Sequence, residues 1–454
     1  MELGFGIVIF LVYIVFVMVW YLGLKRSIAE AMLLGLIVVC LLNGPDTAPQ
    51  VFVKSLQKAV KQDVMAAIML FTLMASIMTK TGIVTRLVNI LNSFLGRLRG
   101  GPAYVSACGS ALFGMVSGAS SANAATVGSI TIPWMKEDGW PADVVAVMNT
   151  GNAGLGICIP PSSSMFLMLG LPIIADTVTA GDLYLPLLCG GLWTLVYRLF
   201  LVRIYVSKYH IAAVDSSRIV PFGSALKSGG SSLTMFLGIA IPLLVITGPI
   251  GDWLGTVASF GSDAVKAMNI IIWVPILIMV ICMIEGRKLL PKSAKEWCEL
   301  LSGTAKTCCS CGAVSLFAMA CSNALNETSF GEDMTTVLSA LDLPKFLMIL
   351  IIGAVIALAA GPMNATSTTV SLGPVAYSAM VAVGVPPVTA IVAYLIFAST
   401  EGASPPMSSP IFVSSSIAGV DNVSVMFKPL ILHYCIPLVF VGVLVAMGFL
   451  PIPV

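Results

Sequence analysis

Two short polar stretches interrupt long apolar runs of the chain, and their residue types suit the binding of small ions. The first reads Ser-Gly-Ala-Ser-Ser-Ala-Asn over residues 117–123, and the second reads Asn-Ala-Thr-Ser-Thr over residues 364–368. Hydroxyl and carbonyl oxygens suit a hard cation such as Na⁺, whereas the free amides of a helix N-terminus attract an anionic group. Tight packing between helices through small residues is the alternative explanation for the first stretch taken alone.

A second pair of polar stretches contains consecutive prolines. Residues 149–162 read Asn-Thr-Gly-Asn-Ala-Gly-Leu-Gly-Ile-Cys-Ile-Pro-Pro-Ser, and residues 399–406 read Ser-Thr-Glu-Gly-Ala-Ser-Pro-Pro. Proline removes an amide donor and frees nearby carbonyls, which favours a cation site, although a simple proline kink is the alternative. Glu401 is a functional candidate because a carboxylate within a membrane span is costly. It could ligate a cation, carry a proton, pair with a donor, or face an aqueous vestibule without a specific role.

The chain that carries these residues is too apolar for a water-soluble fold. Of its 454 residues 58% are hydrophobic and 10% are charged, with a mean hydropathy of +1.01, whereas a soluble domain carries about 25% charged residues. A spanning helix needs about 20 apolar residues. The sequence therefore predicts an all-α polytopic membrane protein in a lipid bilayer, with spans at about 5–23, 27–42, 62–80, 141–176 (interrupted), 182–204, 229–250, 268–284, 305–323, 386–418 (interrupted) and 430–449.

Two further apolar regions, 102–135 and 345–383, are broken in the middle, as is typical of helical hairpins that enter and leave a membrane on one side. Basic residues mark the cytoplasmic side, so Lys25 in the first turn puts the N-terminus outside. Most later basic residues, Arg198 among them, fall inside only if both regions are re-entrant. The segments 48–60 and 292–304 mix charged and apolar residues and are predicted to lie along the interface.

The polar stretches recur at a fixed distance. Gly384 follows Gly139 by 245 positions, and Pro405 follows Pro160 by the same number. With the predicted topology, the two hairpins open to opposite sides, so the halves are inverted. Inverted repeats with broken helices at the midplane are typical of secondary transporters. Since no motif of a metalloprotease, a phosphate-binding loop or a nucleophile elbow occurs, the sequence predicts no enzyme and no covalent cofactor.

Residues 81–170 closely resemble the large membrane subunit of the TRAP (tripartite ATP-independent periplasmic) transporters, and the likeness continues more weakly along the second half. The matching motifs are Gly100-Gly101, Phe113-Gly114, Ser117–Ala122, Gly128, Pro133–Met135, Gly139-Trp140 and Gly156-x3-Pro160-Pro161-Ser162. The resemblance implies an inverted-repeat, elevator-type transporter with two re-entrant hairpins and two broken helices. Its expected parts are scaffold helices (1–80), the first hairpin and broken helix (81–180), scaffold helices with a cytoplasmic loop (181–305), the second hairpin and broken helix (306–420) and a last transmembrane helix (421–454).

The resemblance also implies a function. The chain would be the permease of a sodium-coupled system of the bacterial inner membrane that imports a small organic acid such as a dicarboxylate. The implied partners are a small four-helix membrane subunit and a periplasmic substrate-binding protein, with no nucleic acid. A stand-alone ion-coupled organic anion symporter is the first alternative, and a channel is the second.

Site residues follow from the same resemblance. A first Na⁺ site would be formed by the side chains of Ser117, Ser120, Ser121 and Asn123 with the carbonyls near Gly154 and Pro160. A second would be formed by Asn364, Thr366 and Ser367 with Ser399 and Pro405. The substrate is expected to contact Ser120, Asn123, Asn152, Thr366 and Glu401. Glu401 is an addition to the family's usual pattern, and no buried arginine stands out as a carboxylate clamp.

Overall fold

The computed structural model describes residues 4–117, 119–175, 177–213, 219–246, 250, 253, 256–257, 270–330, 333, 343–405 and 408–454. Gly118 and Pro406 of the predicted site stretches lie outside these residues, as do parts of the predicted spans 229–250 and 268–284. The described residues form helices and no β-strand, and one isolated backbone bridge joins Arg99 to Ala213. The all-α prediction is therefore confirmed.

The first half contains the helices α1 (Phe5–Met18), α2 (Ile28–Asn43), α3 (Ala48–Val60), α4 (Asp63–Lys80), α5 (Ile83–Leu95), α6 (Gly101–Ser117), α7 (Ser120–Glu137), α8 (Ala142–Ala153), α9 (Ser163–Leu169), α10 (Pro172–Ala175), α11 (Ala180–Lys208), α12 (Phe222–Gly229) and α13 (Leu237–Ile246). Side-chain caps define several of the starts. Ser27 accepts a hydrogen bond from the Glu30 amide, and Thr179 and Asp182 form a reciprocal capping box. Such caps satisfy amides that have no partner within the helix.

The second half contains α14 (Ile270–Glu285), α15 (Ala294–Asn326), α16 (Lys345–Ala382), α17 (Pro387–Ala398), α18 (Ser409–Ala418), α19 (Phe427–Leu430) and α20 (Ile436–Ala446). Short 3₁₀ turns lie at Gly154–Cys158, Gly230–Phe236, Ser399–Ala403 and Val423–Met426, and π turns lie at Val19–Gly23 and Ile431–Cys435.

By length and composition alone, two described helical stretches can cross a membrane, Ala180–Lys208 and Val423–Ala446. The number rises to four if each of two bent pairs counts as one span. Several other predicted spans coincide with shorter apolar helices, such as α1 and α2. Large apolar side chains also cover the outer surface, where Phe5 and Phe200 are each 62% exposed, as suits contact with lipid.

The predicted interfacial segments have different outcomes. Ala48–Val60 is a separate helix, bent by 57° from the helix that follows. The segment 292–304 is not separate, because Ala294–Asn326 is one continuous helix of 33 residues. The prediction of a break before residue 305 is therefore wrong. That stretch contains no proline, and a single glycine, Gly303, does not end a helix that packs against α2, α3 and α4.

The first predicted hairpin is formed by α6 and α7, which we call the first hairpin. The two helices pack antiparallel across the turn. Asn123 Nδ2 of α7 donates to the Ser110 carbonyl of α6 at 3.0 Å. Nearer the open end, a Cβ on Gly109 would lie 3.5 Å from Val127.

The second predicted hairpin is the helical segment Lys345–Ala382, which we call the second hairpin. A straight helix of its 38 residues would be about 57 Å long. Lys345 Nζ nevertheless donates to the Gly384 carbonyl at 2.9 Å, so the segment turns back on itself. The first hairpin turns between Ser117 and Ser120, and these positions correspond through the 245-residue offset to 362 and 365, near the midpoint of the segment.

The two hairpins open toward opposite ends of the molecule. The first broken helix, α8 with α9, begins beside the base of the first hairpin at Gly139, and the chain beyond it reaches Thr177, whose hydroxyl lies 3.2 Å from that of Tyr377 in the second hairpin. The second broken helix, α17 with α18, runs the other way. It ends at Ala418, whose carbonyl accepts a hydrogen bond from Lys136 of the first hairpin at 2.8 Å. This antiparallel arrangement matches the predicted inverted repeat.

Candidate functional site

The two broken helices have the same local structure, position for position. Each begins after a proline cap with 12 α-helical residues and continues as five 3₁₀ residues, Gly154–Cys158 (the first break) and Ser399–Ala403 (the second break). Each follows a glycine with positive φ, +82° at Gly139 and +80° at Gly384. This conformation is strained for residues with a side chain, so the glycines fix the turn from each hairpin into its broken helix.

The two breaks lie in the core and contact each other. A Cβ placed on Gly154 would overlap the carbonyl oxygen of Ser399, and one placed on Gly402 would lie 3.0 Å from the carbonyl oxygen of Thr150. Ser399 is the counterpart of Gly154 at the 245-residue offset. A residue contacts its own counterpart only beside a two-fold axis, so the pseudo-two-fold axis of the repeat passes between the breaks.

Glu401 lies where the second break meets both hairpins. Its side chain is buried, and Oε2 accepts a hydrogen bond from Ser120 Oγ at 2.6 Å. The backbone amide of Ala365 in the second hairpin donates to the same carboxylate. Ser120 and Ala365 are themselves counterparts at the 245-residue offset. The structure thus brings together two predicted site residues, Ser120 and Glu401, which lie 281 positions apart in the sequence.

Three buried asparagines surround the first break and retain unused polar atoms. Asn123 Nδ2 donates to the carbonyls of Ser110 and Ala153, but its Oδ1 has no hydrogen-bond partner among the described residues. Asn149 Oδ1 and both polar atoms of the Asn152 side chain also lack partners there. An unsatisfied buried polar group costs about 1–3 kcal/mol. These oxygens are therefore available to a cation or to water.

The other predicted site residues have varied surroundings. Ser399 Oγ donates to the carbonyl of Ile396 in its own helix at 2.7 Å. Ser121 and Thr366 are half-buried, as is Pro405, whereas Pro160 and Ser367 are buried. Ser117 ends α6 and Asn364 lies inside the second hairpin, but their side chains are outside the described part of the molecule.

Arg198 is a candidate that the sequence interpretation missed. The sequence interpretation uses it as a marker of the cytoplasmic side, but it is fully buried within α11, so its use as a marker of an exposed membrane face is wrong. Its Nε donates to the Gly151 carbonyl at 3.1 Å and its Nη1 to the Thr194 carbonyl at 3.3 Å. Nη2 is buried and unpartnered among the described residues. The missed signal was a charge well inside an apolar helix, which is a functional candidate by default.

Comparison with known proteins identifies the family. The family model described as "Tripartite ATP-independent periplasmic transporter, DctM component" matches residues 5–451. The C4-dicarboxylate TRAP transporter large permease protein DctM of Pseudomonas aeruginosa is 24% identical over 380 residues, covering 84% of this chain and 83% of that one. The ectoine TRAP transporter large permease protein TeaC of Halomonas elongata is 30% identical over 147 residues, which cover 32% and 34% of the two chains. For the uncharacterized protein YgiK of Salmonella typhimurium, at 29% identity, the match spans 46% of each chain, or about half its length.

Solved transporter structures share the fold. The YdaH transporter of Alcanivorax borkumensis matches with a TM-score of 0.67 at 16% identity, over 89% of both chains. MtrF of Neisseria gonorrhoeae matches with a TM-score of 0.65 at 15% identity, over 88% of this chain and 84% of that one. At these identities the likeness concerns the arrangement of the helices alone.

Proposed function

Because the chain belongs to the DctM component family of TRAP transporters, we propose that it is the permease of a sodium-coupled, binding-protein-dependent system that imports a small carboxylate across the bacterial inner membrane, with its N-terminus outside. The observation that carries this proposal is the meeting of two oppositely oriented hairpins and two breaks on one pseudo-two-fold axis, at Ser120 and Glu401. Such a centre can be exposed to either side by moving as one body, which is what an elevator-type transporter requires.

Sodium is the proposed coupling ion because the first break offers oxygen ligands that lack partners. The Oδ1 atoms of Asn123 and Asn152 are buried without a partner among the described residues, and Asn123 Nδ2 donates to the Ala153 carbonyl at the start of the break. Na⁺ is a hard cation that prefers oxygen. The proposed first site adds Ser117, Ser120 and Ser121 with the carbonyls of Gly154 and Pro160, and the second consists of Asn364, Thr366 and Ser367 with Ser399 and Pro405.

The proposed partners are a small four-helix membrane subunit and a periplasmic binding protein that delivers the substrate. The family supports these partners, since the system is described as tripartite and periplasmic. The relatives' names carry C4-dicarboxylate, ectoine and sialic acid, so a small organic acid is the proposed class. We therefore expect the substrate to be one such small organic acid.

Uptake into proteoliposomes tests this proposal against its alternatives. The permease is reconstituted with its small subunit, and uptake of a C4-dicarboxylate, ectoine and sialic acid is followed with and without the binding protein and an inward Na⁺ gradient. We expect uptake only when both are present. Sodium-driven uptake without the binding protein would identify a stand-alone symporter. Substrate flux that needs neither would identify a channel.

A further inference from the structure

Glu401 breaks the symmetry of the two halves at their meeting point. Its counterpart at the 245-residue offset is Gly156 in the first break. A Cβ on Gly156 would overlap the backbone of Gly114 in the first hairpin, so no side chain fits there. The second half instead places a carboxylate at this position, buried between the two hairpins.

The groups around the Glu401 carboxylate are those that would bind a substrate carboxylate. Ser120, which donates to it, is the first residue of α7. Ala365, whose amide also donates to it, holds the equivalent position in the second hairpin. A helix N-terminus carries a partial positive charge, and hydrogen bonds to a carboxylate are stronger than those between neutral groups. Glu401 therefore already occupies the anion-binding position that the two hairpins create.

The Glu401 carboxylate makes no ion pair within the part of the chain that the structure describes. Both ion pairs recorded among the described residues involve Glu327, at the end of α15, and Arg198 donates to backbone carbonyls instead. A second carboxylate at this position would lose both donors and meet a like charge in a medium of low dielectric constant. A cationic group would gain an opposite charge there.

We propose that Glu401 selects substrates that carry a cationic group, an ammonium or an amidinium, and excludes a substrate carboxylate from the meeting point of the two hairpins. The inference rests on the proposed transport function and narrows its substrate class to organic acids that also carry a positive group. That positive group lies against Glu401, and the acid group lies elsewhere in the site.

Acetate, used as a probe, tests the exclusion of carboxylates. Glu401→Gly installs the residue found at the counterpart position and frees the two donors. Titration of the purified permease with sodium acetate, at constant ionic strength against sodium chloride, should then raise the thermal unfolding temperature of this variant and not that of the wild type. Adding Ser120→Ala to the glycine variant should weaken acetate binding about tenfold, the effect of losing one hydrogen bond to a charged group.

Methylammonium tests the preference for a cationic group. At a constant Na⁺ concentration, it should stabilise the wild type and bind at least about tenfold more weakly to Glu401→Gln, which keeps the size of the side chain and removes its charge. Equal binding by both proteins, or binding by neither, would overturn the proposal.

The proposal that Glu401 excludes carboxylates would also be overturned if acetate bound the wild type as tightly as it binds Glu401→Gly. Glu401→Ala replaces the glycine variant if that variant does not fold. Neither titration involves the binding protein, so a negative result would not affect the proposed requirement for a binding protein. Conversely, uptake that needs no binding protein would leave the results of these titrations unchanged.

Discussion

The first and second breaks have the same backbone and different side chains. In each, one carbonyl of the last helical turn accepts a side-chain hydrogen bond, that of Gly151 in the first and that of its counterpart Ile396 in the second. The Gly151 carbonyl accepts from Arg198 Nε at 3.1 Å, whereas the Ile396 carbonyl accepts from Ser399 Oγ at 2.7 Å. The two halves thus share the break but use different side chains to bond its carbonyl.

The two arrangements use side chains that the other half lacks. The counterpart of Ser399 is Gly154, which has no side chain and contacts the second break through its backbone. The counterpart of Arg198 is Val443, which is buried and apolar. Each half therefore lacks the group that the other half uses. The two breaks, which share one backbone structure, therefore differ in charge. The first contacts the buried cation Arg198, and the second contains the buried carboxylate Glu401.

The largest expected effect comes from forcing a methyl group into the close contact between the two breaks. Gly154→Ala places a methyl group on the Ser399 carbonyl and should lower the free energy of unfolding by about 3 kcal/mol, as overpacking of a rigid core does. Gly139→Ala is the control. It has open space around its Cβ and suffers only from a positive φ, at a cost of about 1 kcal/mol.

Thermal unfolding of the two variants in lipid nanodiscs would measure this difference. Gly384→Ala extends the comparison, because the repeat predicts the same cost there as at Gly139. A Gly154→Ala protein as stable as the wild type would show that the two breaks are not in contact.

A smaller effect is expected at the tip of the first hairpin. Ser120→Ala removes the hydrogen bond to Glu401 and should cost about 2 kcal/mol, as for a bond to a charged group. Ser121→Ala is the matched control, since its half-buried side chain has no hydrogen bond recorded in the described structure, and it should change stability by less than about 0.5 kcal/mol.

The same pair of serines tests the proposed sodium site. The double variant should sharply reduce Na⁺-dependent uptake by the reconstituted system, since both hydroxyls belong to the proposed ligand set. Wild-type rates in the double variant would remove these serines from that set, whatever their effect on stability.

Local residues made much of this architecture predictable. Gly139, Gly384 and the prolines restrict or permit the conformation of their own backbone, whatever their neighbours in space. Their recurrence therefore predicted the hairpins and the breaks in both halves. The unexpected features depend on distant neighbours. The bond between Ser120 and Glu401 joins residues 281 positions apart, and Arg198 is buried only because α11 packs against the first break. The continuity of α15 likewise comes from packing, because its charged first turns resemble those of α3.

The halves also differ at one end of the helices, where α3 meets the end of α15. Lys54 and Lys58 each lie within 3.0 Å of a Glu327 oxygen. The counterpart positions at the 245-residue offset are Glu299 and Gly303 for the lysines, which cannot supply the same charges. The counterpart positions therefore do not reproduce this ion-pair cluster.

The smallest expected effect is a dependence of stability on pH from that cluster. Hydrogen bonds from Lys54 and Lys58 hold the pKa of the Glu327 carboxyl below its ordinary value. The cluster therefore stabilises the fold above the pKa of the unfolded chain, about 4.3, and this contribution is lost as the pH falls through the lower pKa of the folded protein. The lysines are more than half exposed, so we expect less than about 1 kcal/mol. Glu327→Gln should lower stability at neutral pH and flatten the acid limb of the unfolding temperature against pH, and an unchanged acid limb would show that the pair is too well solvated to contribute.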